Sequence, residues 1–246
     1  MKTAFRYLPL LILAVAWEAA SRLQLVSSLA LPPLSDVAIA WWDLLKDGEL
    51  VTNGAASLWR AGAGLFLSIV IGATLGIFMA WWRPVNIVLG PLVEALYPMP
   101  KSALIPVTVI WLGFGDGSKI LLILLGCMLP ITLGAYNGAR GSDQALVWSA
   151  RSMGASRMRM LWDVVVPSAT PELLNGIRTA LALSFILLVS SELIVAREGL
   201  GYLIGSLGSN GNYDAMYAVV LTVAFIGFAA DRIYQIFQDR MLRWQQ

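Results

Sequence analysis

The feature that most constrains the fold is a run of 22 residues, 61–82, that contains no charged side chain. A helix of about 20 apolar residues is long enough to cross the hydrocarbon core of a bilayer. Similar apolar runs recur along the chain, and 58% of its 246 residues are hydrophobic whereas only 13% are charged. A soluble domain of this size needs more charge to cover its surface. The sequence therefore predicts an all-α membrane protein that crosses the bilayer several times.

Six spans are predicted from these runs. They fall at about 1–24, 61–82, 102–113, 120–137, 178–196 and 215–230. The first run also resembles a signal peptide, but an uncleaved anchor is favoured because the later spans already supply membrane insertion. A short amphipathic helix at 37–45 is predicted to lie in the interface, since it is too short to span.

The third span is interrupted near its start. Prolines 98 and 100 and Lys101 cannot lie in lipid-facing backbone. We expect a helix at 85–97 along the membrane surface, a break at 98–101, and then the short span from 102.

The distribution of basic residues predicts the orientation, because Lys and Arg collect in cytoplasmic loops. With the N-terminus inside, 12 of the 17 basic residues lie in cytoplasmic segments and 5 lie outside. The opposite orientation reverses this asymmetry. Both termini and the polar segment 138–175 are therefore expected in the cytoplasm.

Within this segment, residues 143–171 form an arginine-rich interruption of the apolar sequence. Asp143 is predicted to cap a short helix, which ends near Met153 because Gly154 can adopt the left-handed conformation. Ser156 is predicted to cap a second helix. A hinged pair of helices between two spans is well shaped to dock on another protein.

The end of the second helix is predicted from proline. Pro167 is expected to stop it, because proline lacks the amide hydrogen and its ring collides with the preceding turn. Thr170, Pro171 and Glu172 then predict a new helix start, with a capping hydroxyl, a proline at the first position and a carboxylate at the positive helix end.

Several chemistries are excluded by composition. The chain has no histidine, which excludes histidine proton relays, His-ligated metal sites and Ser-His-Asp catalysis. Its single cysteine, Cys127, excludes an internal disulfide and is expected to be an inert packing residue. No G-x-x-x-x-G-K-[ST] loop occurs, so the chain lacks this means of holding ATP phosphates.

ARSMGASR at 150–157 is followed by VVVP at 164–167, and Gly154 and Pro167 lie 13 positions apart. This pattern resembles the EAA loop of permeases from bacterial ATP-binding-cassette (ABC) importers, which has the same spacing. The chain departs from the motif where Trp148 and Ser149 replace its glutamate and first alanine. Segments 31–37, 97–123 and 191–204 resemble the nitrate/sulfonate/taurine group of these permeases.

The resemblance implies the ABC type I importer permease fold, with six spans and a cytoplasmic EAA-type coupling loop. It implies a homodimer in the bacterial inner membrane, two copies of an ABC ATPase, and an external solute-binding protein. ATP and Mg²⁺ would be bound by the ATPase, so this chain is expected to bind no cofactor, to have no catalytic or metal site and to contact lipid but no nucleic acid. The solute would be small, and either anionic or similar to nitrate, sulfonates or taurine.

The same resemblance suggests a division of the chain. Residues 1–57 would hold the first transmembrane helix and the interfacial helix. Residues 58–236 would form the core permease domain, with its coupling loop at 138–175, and residues 237–246 a cytoplasmic tail. A secondary, ion-coupled transporter is the alternative function, but the paired intramembrane charges and repeated halves that it predicts are not seen. A membrane-embedded enzyme is a third possibility, disfavoured by the lack of histidine and of clustered intramembrane carboxylates.

Two sets of site residues follow. The residues expected to couple to the ATPase are Ala150, Arg151, Met153, Gly154, Ala155, Ser156, Arg157 and Pro167. The candidates to line the translocation path are Ser184, Ser190, Ser191 and Glu192. An intramembrane carboxylate is usually functional, but Glu192 could instead pair with Arg197 or cap a neighbouring helix, and this alternative is favoured for an anionic solute because a bare carboxylate would repel it. The serines could line the path or bond within their helix.

Overall fold

The computed structural model describes residues 2–243; within its first helix, the side chains of residues 2–7 and 10 are not described. Helices account for nearly all of this part of the chain. The α-helices are α1 (Lys2–Arg22), α2 (Leu34–Lys46), α3 (Glu49–Trp81), α4 (Arg83–Leu96), α5 (Ile105–Leu112), α6 (Asp116–Arg140), α7 (Gln144–Ser152), α8 (Arg157–Met160), α9 (Val166–Val195), α10 (Leu200–Ser209) and α11 (Tyr213–Met241). A 3₁₀ turn, Lys101–Leu104, precedes α5, and a π-helical turn, Leu161–Val165, joins α8 to α9.

Four helical segments of the described chain are long and apolar enough to cross a membrane. They are Glu49–Trp81, Asp116–Arg140, Arg157–Val195 and Tyr213–Met241. The bent pair Arg83–Leu96 and Lys101–Leu112 makes a fifth if it counts as one span. The prediction of six spans is therefore not fully reproduced. The predicted first span forms the 21-residue helix α1, which is not among these segments.

Two compact units divide the chain, and one consists of Met1–Ser57 with Glu192–Ile226. Its core is formed by apolar side chains of α2, α3, α10 and α11. The buried members are Val37, Leu44, Leu50, Leu200, Leu203, Ala215, Ala218 and Val219. The predicted interfacial helix corresponds to α2, whose Trp41 indole donates a hydrogen bond to the Thr222 hydroxyl at 3.1 Å.

The other unit consists of Leu58–Ser191 with Gly227–Gln246. Helix α6 is its most buried span, because 56% of an 18-residue apolar stretch of this helix is buried inside the protein. Gly72 and Gly76 lie four residues apart and let α3 approach α6 closely, as small residues at this spacing do between membrane helices. A Cβ on Gly72 would lie 2.8 Å from the Met128 carbonyl oxygen, and one on Gly76 would collide with the Thr132 carbonyl oxygen.

The predicted break at 98–101 is present in this unit as a bend of 98°. Lys101 stabilises it, because its ammonium donates hydrogen bonds to the carbonyl oxygens of Leu96 (2.6 Å), Tyr97 (3.2 Å) and Met99 (2.7 Å). Leu96 is the last residue of α4 and its carbonyl also accepts from the Met99 amide at 3.3 Å, whereas Tyr97 and Met99 follow the helix. Lys101 therefore caps a helix end.

The predicted stop at Pro167 and new start at Thr170 are wrong. The helical path runs without a break from Arg157 to Val195, and both Pro167 and Pro171 lie inside it. The π-helical turn Leu161–Val165 ends just before Pro167. Its wider winding offers room for the proline ring beside the carbonyl four residues earlier, which an α-helical turn does not. The span is consequently longer at its N-terminal end than the predicted 178–196.

Candidate functional site

The segment between the spans of α6 and α9 forms the predicted pair of short helices. Asp143 begins the first one, α7, because its side chain accepts a hydrogen bond from the Ala145 amide at 2.8 Å. Ser156 begins the second, α8, and accepts from the Arg159 amide at 3.3 Å. Both predicted N-caps are confirmed. We call residues 143–160 the hinged loop.

Gly154 forms the hinge through a Schellman motif. Its φ of +81° lies in the left-handed region. The Ala155 amide donates to the Ala150 carbonyl at 3.1 Å, and the Gly154 amide donates to the Arg151 carbonyl at 3.0 Å. These two bonds satisfy carbonyls that the helix end would otherwise leave unpaired. The left-handed conformation of Gly154 and these two backbone bonds therefore set the angle at which the chain leaves α7.

The base of the hinged loop is anchored in the protein interior. Helix α7 packs against α8 and the π-helical turn. The π-helical turn belongs to a buried cluster that joins the ends of α3, α6 and α9. Its buried members are Ala139, Leu161, Val165 and Ala169. The hinged loop is therefore connected to the ends of these helices by packed side chains.

Ala150 and Met153 occupy opposite environments. Ala150 is 8% exposed, so it faces the chain itself and supports the loop from inside. Met153, at the hinge, is 81% exposed, and Arg151, Gly154, Ser156 and Arg157 are also exposed. Ala155 is half-buried. Pro167 lies beyond the loop, on the outside of the helix that leads into the span.

The hinged loop displays large apolar side chains as well as charges. Leu146 is 54% exposed, Trp148 66% and Met158 53%. The basic residues Arg151, Arg157 and Arg159 are exposed in the same stretch. This mixture of exposed aromatic, methionine and arginine residues is typical of protein–protein contact surfaces.

The serine candidates for a translocation path are mostly engaged within α9. Ser184 is fully buried, and its hydroxyl donates to the Leu181 carbonyl at 2.7 Å. Ser191 is 2% exposed and donates to the Leu188 carbonyl at 2.8 Å. Ser190 is half-buried. Of the three serines, it is the one with partial access to the surface.

Glu192 caps a neighbouring helix, which is one of the alternatives that the sequence leaves open. Its carboxylate is 1% exposed and accepts hydrogen bonds from the Ser57 hydroxyl at 2.7 Å and the Gly201 amide at 3.0 Å. The Ser57 oxygen in turn accepts from the Leu200 amide at 2.8 Å. A carboxylate at the first turn of α10 is favourable, because the unpaired amides there carry partial positive charge.

Asn53 completes this cap, since its side-chain oxygen accepts from the Gly199 amide at 2.7 Å. Three consecutive amides at the start of α10 are therefore held by side chains of α3 and α9. Sequence reasoning missed Asn53 and Ser57. They lie more than 140 residues before their backbone partners, so no local spacing connects them.

Several basic residues, which the sequence analysis used only to predict orientation in the membrane, also have structural roles. Arg60 is buried and forms an ion pair with Asp116 at 2.6 Å, where α6 begins. Lys119 is 1% exposed and donates to the carbonyl oxygens of Phe114 and Gly115. Arg178 of α9 binds Asp231 of α11 through two hydrogen bonds, at 2.8 and 3.2 Å.

Chains from two solved ABC transporters superpose on this chain. A chain of the MetNI methionine ABC transporter, in an inward-facing conformation, superposes with a TM-score of 0.66. The alignment covers 80% of this chain and 96% of that chain at 22% identity. A chain from a crystal structure of an amino acid ABC transporter gives a TM-score of 0.60. The fold is therefore that of an ABC type I importer permease.

The chain belongs to the family described as binding-protein-dependent transport system inner membrane component, whose model matches residues 72–243. The taurine transport system permease protein TauC of Escherichia coli is 36% identical over 96% of this chain and 87% of its own length. The Bacillus subtilis protein named "Putative aliphatic sulfonates transport permease protein SsuC" is 30% identical over 97% of this chain and 86% of its own length.

This membership makes the chain a membrane-spanning transport subunit and not an enzyme. It lies in the inner membrane, and importers of this kind work with a binding protein and an ATPase. The comparisons give no support to an ion-coupled secondary transporter.

Proposed function

We propose that two copies of this chain form the translocation path of an ABC importer for small organic sulfonates such as taurine. Each copy would bind one ATPase subunit, and an external binding protein would deliver the solute. The similarity to taurine and aliphatic sulfonate permeases over nearly the whole chain supports this substrate class.

The observation that carries the coupling role is the hinged loop. Its glycine hinge is held by two hydrogen bonds, and its tip at Met153 is 81% exposed. Its base lies in the packed cluster at the ends of α3, α6 and α9. A projection that is rigid, exposed and rooted in the spans can transmit ATPase closure to the helices. We assign ATPase contact to Arg151, Met153, Gly154, Ser156 and Arg157, with Ala150, Ala155 and Pro167 setting the shape of the projection.

The orientation in this proposal follows the basic residues. The hinged loop and both chain ends face the cytoplasm, where 12 of 17 Lys and Arg residues are then placed. The proposal retains the division into residues 1–57, the core 58–236 with its loop at 138–175, and the tail 237–246. Residues 244–246 of that tail lie outside the described part of the chain.

For the path itself, we propose that Ser190 contacts the solute, because of the three candidate serines 184, 190 and 191 it is the one that is partly exposed. Ser184 and Ser191 would contribute through the shape of α9, since their hydroxyls bond to its backbone. Glu192 would hold α10 in place beside the path. A buried carboxylate bonded to Ser57 and Gly201 is suited to this positioning role and does not present its charge to an anion.

Copurification tests whether the permease binds an ATPase, and an uptake assay tests whether taurine is the substrate. The permease, solubilised mildly from the membrane, should retain its ATPase. In proteoliposomes containing the permease, the ATPase and the binding protein, taurine should accumulate only with ATP. A permease that purifies without an ATPase, and transports with an ion gradient alone, would overturn the proposal. Uptake of nitrate but not of taurine would overturn the sulfonate assignment and leave the ATP-driven mechanism intact.

A further inference from the structure

Trp148 is where the hinged loop departs from the EAA motif, and its side chain is 66% exposed. Ala150 is buried and Val147 half-buried, so these two residues mark the face of α7 that packs on the protein. An α-helix turns about 100° per residue, and Trp148 is therefore on the side of α7 turned away from this packed face. Nothing in local packing accounts for a tryptophan at this position.

The surroundings of Trp148 on α7 are basic and polar. Arg151 and Ser152 follow it by three and four residues, which places them on the same helix face, and both are exposed. We call Trp148, Arg151 and Ser152 the outer face of α7. Arg157 and Arg159 begin the next helix and are also exposed. The indole is thus a large apolar group that shares a helix face with Arg151, and Arg157 and Arg159 follow in the next helix, where Arg159 pairs with Asp163 at 3.2 Å.

We infer that Trp148 is the anchor of the contact with the ATPase, inserted into an apolar pocket that has an acidic rim. This inference rests on the proposed function, since it requires the hinged loop to meet the ATPase. Tryptophan and arginine are the residues most enriched among those that dominate the energy of protein interfaces. A glutamate at this position would need basic or hydrogen-bonding partners, whereas an indole needs a dry, apolar pocket. The ATPase of this importer should therefore present an apolar pocket here.

The competing occupant of this face is lipid, because tryptophan also collects at membrane interfaces. Trp162 provides the matched comparison. It is 62% exposed, nearly as much as Trp148, but it lies in the π-helical turn that continues into the membrane span. We assign Trp162 to the lipid interface and Trp148 to the ATPase, since the outer face of α7 is outside the span segments.

Affinity measurements on single variants test the anchor. The permease is placed in nanodiscs and titrated with its purified ATPase subunit. Trp148→Ala should weaken binding by about 30-fold or more, as expected for a dominant interface residue. Trp148→Phe should retain most of the affinity, and Trp148→Glu should bind more weakly than Trp148→Ala, since a carboxylate would enter an apolar pocket. Trp162→Ala should bind like the wild type.

Thiol labelling decides between the ATPase and lipid. Cys127 is fully buried, so a Ser152→Cys variant adds the accessible thiol of the outer face. A membrane-impermeant maleimide should modify it in nanodiscs without ATPase, and bound ATPase should protect it. Lack of modification before the ATPase is added would place this face in lipid and overturn the inference.

The outcomes separate this inference from the proposed function. If Trp148→Ala binds the ATPase normally while Gly154→Val does not, the anchor is overturned and the coupling role of the hinged loop stands. If both variants bind normally, both proposals are overturned. If Trp148→Glu binds as tightly as the wild type, the pocket is not apolar and the inference is overturned.

Discussion

Replacing Gly154 by alanine tests whether the shape of the hinged loop controls coupling. The residue has a φ of +81°, and a Cβ added to it would have no atom within 4 Å. Steric collision with the rest of the chain therefore contributes nothing. The cost is that of an L-residue in the left-handed conformation, about 1–2 kcal/mol. The variant can also relax this strain by giving up the two hydrogen bonds of the Schellman motif, to the carbonyls of Ala150 and Arg151.

In either case, the docking-competent form of the loop becomes less populated. A free-energy change of about 1–2 kcal/mol corresponds to about a 5- to 30-fold shift in a conformational equilibrium, and the apparent affinity falls with the competent fraction. Gly154→Ala should thus weaken ATPase binding by up to about 30-fold. Gly154→Asn should lose less, because asparagine adopts the left-handed conformation more readily. Gly154→Val should lose more, since β-branched residues tolerate this conformation poorly.

The assay is titration of the ATPase onto the permease, together with thermal unfolding of each variant. Gly211→Ala is the matched control. Gly211 has a φ of +75° and equally open surroundings, but it lies between α10 and α11. It should suffer the same strain and a similar shift in Tm without loss of ATPase affinity. Equal affinity losses in the two variants would show that general destabilisation, and not the loop, is responsible.

Two further predictions concern the packing of the spans and the cap of α10. Gly76→Ala should lower Tm by an amount equivalent to about 1–3 kcal/mol, because its Cβ would collide with the backbone of α6, whereas Gly62→Ala on the same helix has free space and should not destabilise. In a Tm comparison, equal stability of the two variants would mean that α3 and α6 are not in close contact. Glu192→Ala should cost about 1–3 kcal/mol, since it leaves the buried amide of Gly201 without its acceptor. Glu192→Gln, which keeps an acceptor oxygen, should recover most of this loss with an unchanged KM for solute. A large change of KM in a stable Gln variant would instead assign Glu192 to solute contact.

The sequence alone predicted the features that depend on neighbouring residues. The helix caps at Asp143 and Ser156 and the hinge at Gly154 each involve partners within a few positions, so spacing was sufficient to find them. The uncharged run at 61–82 predicted a span for the same reason, because length and apolarity are properties of one segment. The break before Lys101 was predicted from Pro98 and Pro100, which lie within three residues of it.

Features that depend on distant segments were decided by tertiary structure. Pro167 was expected to end a helix, yet a π-helical turn carries the helix past it. Local propensity cannot anticipate this, because the packing of Leu161 and Val165 into a buried cluster offsets what proline costs a regular α-helix. Glu192 was a candidate for the path until its hydrogen bonds to Ser57 and Gly201 placed it at a helix end. The sequence determined that the chain spans a membrane and carries a glycine-hinged loop, since both are written in contiguous residues. Tertiary structure decided which buried polar groups satisfy one another, since the residues that bond across helices can be more than 100 positions apart.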